Sequence, residues 1–190
     1  EIENSSFGFI GNHSHSHEYL VNFLFDDFKN DIDKSINIFK EKLGYNPIFF
    51  SYPFGEYSLE QKKYITKKFK YGFGQNSGVI DLNKDIFELP RFPINEKYGD
   101  LERFNFLVDL LPLQYKSLLP NDKFVVELED NPPIIKIEFF KEQQNIKKIN
   151  CYSNNGSDWS KTEVVYIQNS LKLSFNEKFN FRRGRINCSL

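Results

Sequence analysis

Between residues 25 and 44 the apolar positions fall on one side of a helix. Phe28, Ile32, Ile36, Phe39 and Leu43 are spaced 4, 4, 3 and 4 residues apart, which makes a single helical stripe. Asp26, Asp27 and Asp31 crowd the start of the segment, Lys40 and Lys42 its end, and Gly44 follows. These ends suit the helix dipole and a left-handed C-terminal cap. Shorter apolar runs surround this helix. FGFIGN (Phe7–Asn12) predicts a buried strand that ends in a turn. Pro47 leads a second run, PIFFSYPFG, and Ser58 with Gln61 forms a capping-box pattern for a helix reaching about Phe69. YGFGQ and FELPR are short strand candidates, and Gly99–Pro112 reads as a third helix. The order strand–helix–strand–helix–strand–helix predicts parallel α/β architecture, a barrel or an open sheet.

After Leu113 the pattern changes. KFVVELE, PIIKIEFF, IKKINCYS, EVVYIQ, SLKLSF and RINCS are short strand-like runs, several alternating with period two, and no helical stripe interrupts them. Asn155-Gly156 supplies a turn signal. The chain is therefore expected to carry an α/β domain over residues 1–117 and a small all-β sandwich over 120–190, with the boundary near SLLPND.

Composition narrows the classes. A chain of 190 residues supports one good core, or a medium domain and a small one. The net charge of −1 gives no electrostatic reason to expect nucleic acid or an anionic membrane as partner. No apolar run approaches the roughly 20 residues of a membrane span. The 21 phenylalanines accompany many Lys, Asn and Ile, a bias expected of AT-rich coding sequence rather than of a functional aromatic surface. The chain opens on Glu1 and holds no methionine. Its start therefore reads as a cut or processed end, and the missing leader carries no information on compartment. Cys151 and Cys188 are too few for a structural zinc site on their own. A disulfide and simple burial as two small apolar residues are both open, burial being the plainer.

The chemistry concentrates in GNHSHSH. All three histidines of the chain, His13, His15 and His17, lie within five residues. Neutral imidazole is the commonest protein ligand for zinc and similar metals. His13 and His17 converge if the chain coils, whereas His13 and His15 share a side if it stays extended. The cluster follows a strand, where α/β folds place their sites. A His-x-His barrel site of the amidohydrolase type would need histidines on later strands, and none follows His17. A His-Ser-x-x-His site needs only one carboxylate to complete three protein ligands. Metal binding by His13 and His17, without His15, is the expectation.

HSHSH followed some 35 residues later by SYPFG resembles the polysaccharide deacetylases, the NodB homology domain of carbohydrate esterase family 4. His13, Ser14 and His17 match that family's His-Ser/Thr-x-x-His, and Pro53-Phe54-Gly55 matches the end of its next motif. FSYPFGEYS, FGQNSG and ELPRFPIN extend the resemblance, as NPP and GRINCS do in the β region. The resemblance implies a partial (β/α) barrel of the deacetylase type. It implies a divalent metal, typically Zn2+, held by the two histidines and an aspartate, and hydrolysis of N-acetyl or O-acetyl groups on an acetylated polysaccharide or glycan. It assigns the Phe54 backbone N–H to the developing oxyanion and a loop-orienting side-chain bond to Ser14.

Other implied parts are missing from the sequence. The family's adjacent aspartates precede its histidines, but only twelve residues precede His13 and none is Asp. Asp26-Asp27 follows the histidines at a helix start, where carboxylates have a capping role. The acidic pair is therefore expected upstream of Glu1, leaving this chain alone inactive. Phe50 occupies the family's Arg position, so Arg91 becomes the candidate cation for orienting the catalytic carboxylate. No histidine remains for the family's late proton donor, and Glu56 is either in the site or solvated. A rival reading is a non-catalytic carbohydrate-binding or scaffold protein that has kept the fold. Trp159 suits core or edge packing better than sugar stacking, and Arg182, Arg183 and Arg185 suit a solvated edge.

Overall fold

A computed structural model describes residues 2–125, 130–140, 145–156, 158–180 and 182–190. The chain divides into two compact units, Glu1–Pro112 and Leu113–Leu190. The first is built on short parallel strands. β1 (Phe49–Ser51) pairs in parallel with β2 (Tyr71–Phe73). Asn12 forms a parallel bridge to Phe50 and Leu89 one to Phe73. Four chain segments thus lie side by side in the order Asn12, β1, β2, Leu89.

The helical stripe is realised in α1 (Phe25–Leu43), which buries Phe28, Ile32 and Phe39. Its C-cap, Gly44, has φ 82° and donates to the Lys40 carbonyl. The core of the unit joins Phe28 and Ile32 of α1 to Phe50, Tyr52, Ile65 and Phe69. Burying each such side chain contributes about 1.5–3 kcal/mol. α2 (Leu59–Ile65) starts on the complete capping box of Ser58 and Gln61. It stops four residues short of Phe69, in turns. Gln61 also donates from Nε2 to the Leu20 carbonyl at 2.7 Å, tying α2 to the segment that leaves the histidines. α3 (Leu101–Val108) is capped by Asp100 and is likewise shorter than its apolar pattern.

The expected strand over Phe7–Asn12 is corrected. Only Asn12 pairs, and Phe7 and Phe9 are 94 % and 78 % exposed. Asn12 is held from one side, by the Phe49 carbonyl and the Ser51 amide. Among the described residues nothing pairs along the other side, so alternation alone does not bury the run.

The second unit is a pair of antiparallel sheets. One has the order β3 (Ser117–Leu119), β4 (Ile135–Glu138), β8 (Ser170–Ser174), β7 (Glu163–Ile167). The other has the order β6 (Trp159–Lys161), β5 (Asn150–Asn154), β9 (Arg185–Ser189). β3 straddles the sequence-based boundary and pairs here with β4. Residues 126–129 of the KFVVELE run lie outside the described residues. Alternation sends Ile137, Leu171 and Leu173 of one sheet, and Cys151 of the other, into a shared core. Cys151 and Cys188 face each other across β5 and β9 and are disulfide-bonded, the less plain of the two sequence readings. Trp159, on edge strand β6, is 52 % exposed.

Candidate active site

Asn12 is the pivot of the histidine loop. Its backbone is fixed against β1 and its side chain is buried. The Asn12 Oδ1 accepts from the Ser14 amide and from the Ser35 hydroxyl of α1, each at 3.0 Å. Ser14 Oγ in turn accepts from the His17 amide at 3.0 Å. Ser14 and His17 both lie in the left-handed region, with φ 68° and 55°. The chain therefore coils back through a chain of side-chain caps, not through a helix. This brings His13 and His17 together, with ring centroids 4.8 Å apart in an edge arrangement.

The tautomer of His13 follows from its partner. Nδ1 lies 2.7 Å from the Ser51 carbonyl oxygen. A carbonyl only accepts, so Nδ1 carries the proton and Nε2 presents its lone pair. In metal sites such a second-shell bond fixes the tautomer and orientation of the ligating imidazole. His15 is exposed, and it is its backbone that is used: its amide and that of Ser16 donate to the two carboxylate oxygens of Asp31, at 2.9 and 3.0 Å. A cleft of about 310 Å³ opens beside the loop, lined by Asn12, His13, His15 and Ser35 but not by His17 or Phe54.

Phe54 follows β1 and buried Tyr52-Pro53. Its φ is 57° and that of Gly55 is 71°. A left-handed phenylalanine is strained by about 1–3 kcal/mol and persists only when its surroundings over-determine it. Here the ring stacks on Tyr19 at 3.8 Å and lies 5.0 Å from the His17 ring. Gly55 is required for space as well as for φ, since a Cβ would come within 2.5 Å of the Gln75 backbone nitrogen. Arg91 donates from Nε to the Gly74 carbonyl at 2.9 Å, and its amide donates to the Asn76 carbonyl. It thus braces the 74–76 loop against which Gly55 packs.

Asp26 lies in the first turn of α1 and pairs there with Lys29 at 2.5 Å, without capping the helix through its side chain. Among the described residues no group of three His, Cys, Asp or Glu side chains could hold a metal ion. The donor set fits part of a site: two adjacent imidazoles, one with its tautomer set, and no third ligand among the described residues. The sequence pattern places Asp31 only as a helix-dipole carboxylate. Its position one turn too deep for that role was the signal of another use.

The polysaccharide deacetylase family matches residues 5–73, the stretch that contains the histidine loop and the Pro53–Gly55 turn. A curated relative, the peptidoglycan-N-acetylglucosamine deacetylase of Bacillus cereus, is 37 % identical over 59 residues. That match takes in 31 % of this chain and 22 % of the relative, so the chain spans about a fifth of the relative's length. The solved structure of Streptococcus pyogenes deacetylase PplD in complex with acetate is similar over 53 % of this chain and 44 % of that one. The identity there is 20 % and the TM-score 0.49. In this matched segment the paired histidines and the Pro-Phe-Gly turn are the residues that the hydrogen bonds and ring contacts converge on.

Proposed function

We propose that the chain is part of a metal-dependent hydrolase that removes N-acetyl or O-acetyl groups from a polysaccharide or glycan. One observation carries the reading: the His13 and His17 rings lie together beside the Phe54 turn, with His13 Nδ1 committed to the Ser51 carbonyl. A divalent cation of the zinc type would supply Lewis-acid polarisation of an acyl oxygen and a water of lowered pKa. The protein's own part is to aim His13 Nε2 and the His17 ring at one point and to keep the loop from relaxing. Asn12, Ser14 and Asp31 do this through backbone amides. The left-handed Phe54 turn would direct its N–H at the oxygen that becomes negative on attack. Arg91 would act by holding the 74–76 loop behind that turn. The third donor and the general base belong, in this reading, to carboxylates outside residues 1–190. The parallel strip around β1 and β2 would be a segment of a (β/α) barrel.

The test has two measurements. Zinc stoichiometry should collapse in His13→Ala and in His17→Ala and persist in His15→Ala. Acetate released from an N-acetylated chitooligosaccharide should appear with a version extended upstream and not with Glu1–Leu190 alone. Equal loss of zinc in His15→Ala, or equal acetate from both versions, would contradict the assignment.

A further inference from the structure

The second unit holds a cleft of about 390 Å³ that the deacetylase reading does not use. It opens between the β5–β6 turn, the start of β7 and the segment after β8. Its size is in the range of small-ligand sites. Asp158, Glu163 and Glu177 line it with one cation, Lys161. Among the described residues none of the three carboxylates is in an ion pair, and Glu177 accepts a hydrogen bond from Asn155 at 2.8 Å. Phe175 and Phe179, packed edge to face at 5.0 Å, add an apolar wall.

Thr162 also lines the cleft, and it gives an independent sign of a ligand. The residue is 5 % exposed, and its hydroxyl has no hydrogen-bond partner among the described residues. Its backbone is fixed, the amide donating to the Cys151 carbonyl at 2.9 Å. A buried hydroxyl without a partner is costly and rare. A valine would fill the same volume without that cost, so the hydroxyl, itself closed to solvent, is explained by a partner that reaches it when the ligand seats against Thr162.

The lining selects the chemistry. Three carboxylates against one lysine disfavour phosphates and other anions. A cation alone is not held, since no group of three metal-ligating side chains exists among the described residues. A purely apolar ligand would bury these charges unpaired. What remains is a ligand with several hydroxyls, a positive charge and an apolar face for the phenylalanines. We propose that this cleft binds a short amino-sugar oligosaccharide through its protonated amine and hydroxyls. The cleft's chemistry stands alone; the choice of a glycan as the source of those groups rests on the deacetylase reading, whose product would carry free amines.

The test is calorimetric titration of the whole chain with glucosamine trimer and with N-acetylglucosamine trimer, at low salt and about pH 6, where the amine is protonated. The glucosamine trimer should bind about 10-fold more tightly, as one charge-assisted contact would give. Thr162→Val should weaken it by a similar factor while melting no lower than the parent, and Glu177→Gln should erase most of the preference. Asp158→Asn, at an exposed position, serves if the Thr162 variant does not fold. His13→Ala should bind normally. Absence of binding, equal affinity for both trimers, or loss in His13→Ala but not in Thr162→Val would overturn the proposal. Absent acetate release from the version extended upstream, with binding of the glucosamine trimer intact, would count against the deacetylase reading alone.

Discussion

The histidine loop and the cleft of the second unit use polar groups in opposite ways. In the loop, side chains are spent on the protein's own backbone. Asn12 caps Ser14, Ser14 caps His17, Asp31 caps His15 and Ser16, and the Ser51 carbonyl holds His13. In the cleft, among the described residues, carboxylates gather without an ion pair and the Thr162 hydroxyl goes without a partner. The first arrangement fixes its two imidazoles in advance, as the proposed chemistry on a metal would demand. The second leaves hydrogen-bonding capacity for something outside the chain. The contrast teaches that a site for reaction is recognised by satisfied support, and a site for binding by what support leaves unsatisfied.

The largest effect should come from removing a ring. His13→Ala should lower zinc affinity by more than about 100-fold, a loss larger than second-shell changes produce, and leave the melting of the second unit unchanged. Metal analysis after dialysis, with His15→Ala as control, measures it. An unaffected His13→Ala would break the comparison at its root. Gly55→Ala comes next. Its Cβ meets Gln75 at 2.5 Å and its φ of 71° disfavours any side chain, so a loss of about 2–3 kcal/mol is expected in denaturant titration.

Asp31→Ala sharpens the comparison further. It removes two charge-assisted bonds from the loop but no core contact. Zinc affinity should fall about 10–100-fold, as for other outer-shell partners. A comparable fall in α1 helicity would mean that Asp31 serves the helix and not the loop. Ser58→Ala is smaller, costing about 1 kcal/mol through the lost cap of α2, with the cleft's ligand affinity unmoved.

The smallest expected effect is in pH. Asp33 sits beside Lys68, 2.9 Å away. Burial pushes its carboxyl up, but the bonds from Lys68 and Tyr64 outweigh this and hold it below its usual 3.8. Its contribution is therefore present above the unfolded pKa and lost as pH falls through the lower folded value. Lys62 behaves oppositely. Burial lowers its pKa, but Asp85 and Glu88 raise it above 10.5. Its contribution holds below that value and is lost as pH rises through the folded one. Lys62→Met should flatten the alkaline limb of a stability–pH curve, and Asp33→Asn the acid limb.

Short-range pattern made much of the architecture legible. The α1 stripe and the Ser58–Gln61 box depend on neighbours within four residues, so periodicity and caps announce them. So do the β-strand alternation after Leu113 and the spacing of His13 and His17. The same logic failed for Phe7–Asn12, because burial needs a partner surface that no local pattern supplies. It also overextended α2 and α3, whose apolar residues continue past the last turn that packing supports.

Only the tertiary structure decided the rest. It set the tautomer of His13 through a carbonyl 38 residues away, gave Asp31 to the loop from 15 and 16 residues away, and paired Cys151 with Cys188 across 37. It also left the Thr162 hydroxyl without a partner among the described residues, in a cleft assembled from segments between Ser153 and Phe179. Each of these is a meeting of groups distant along the chain, and a sequence read locally carries the groups but not the meeting, which the packing of whole elements alone selects.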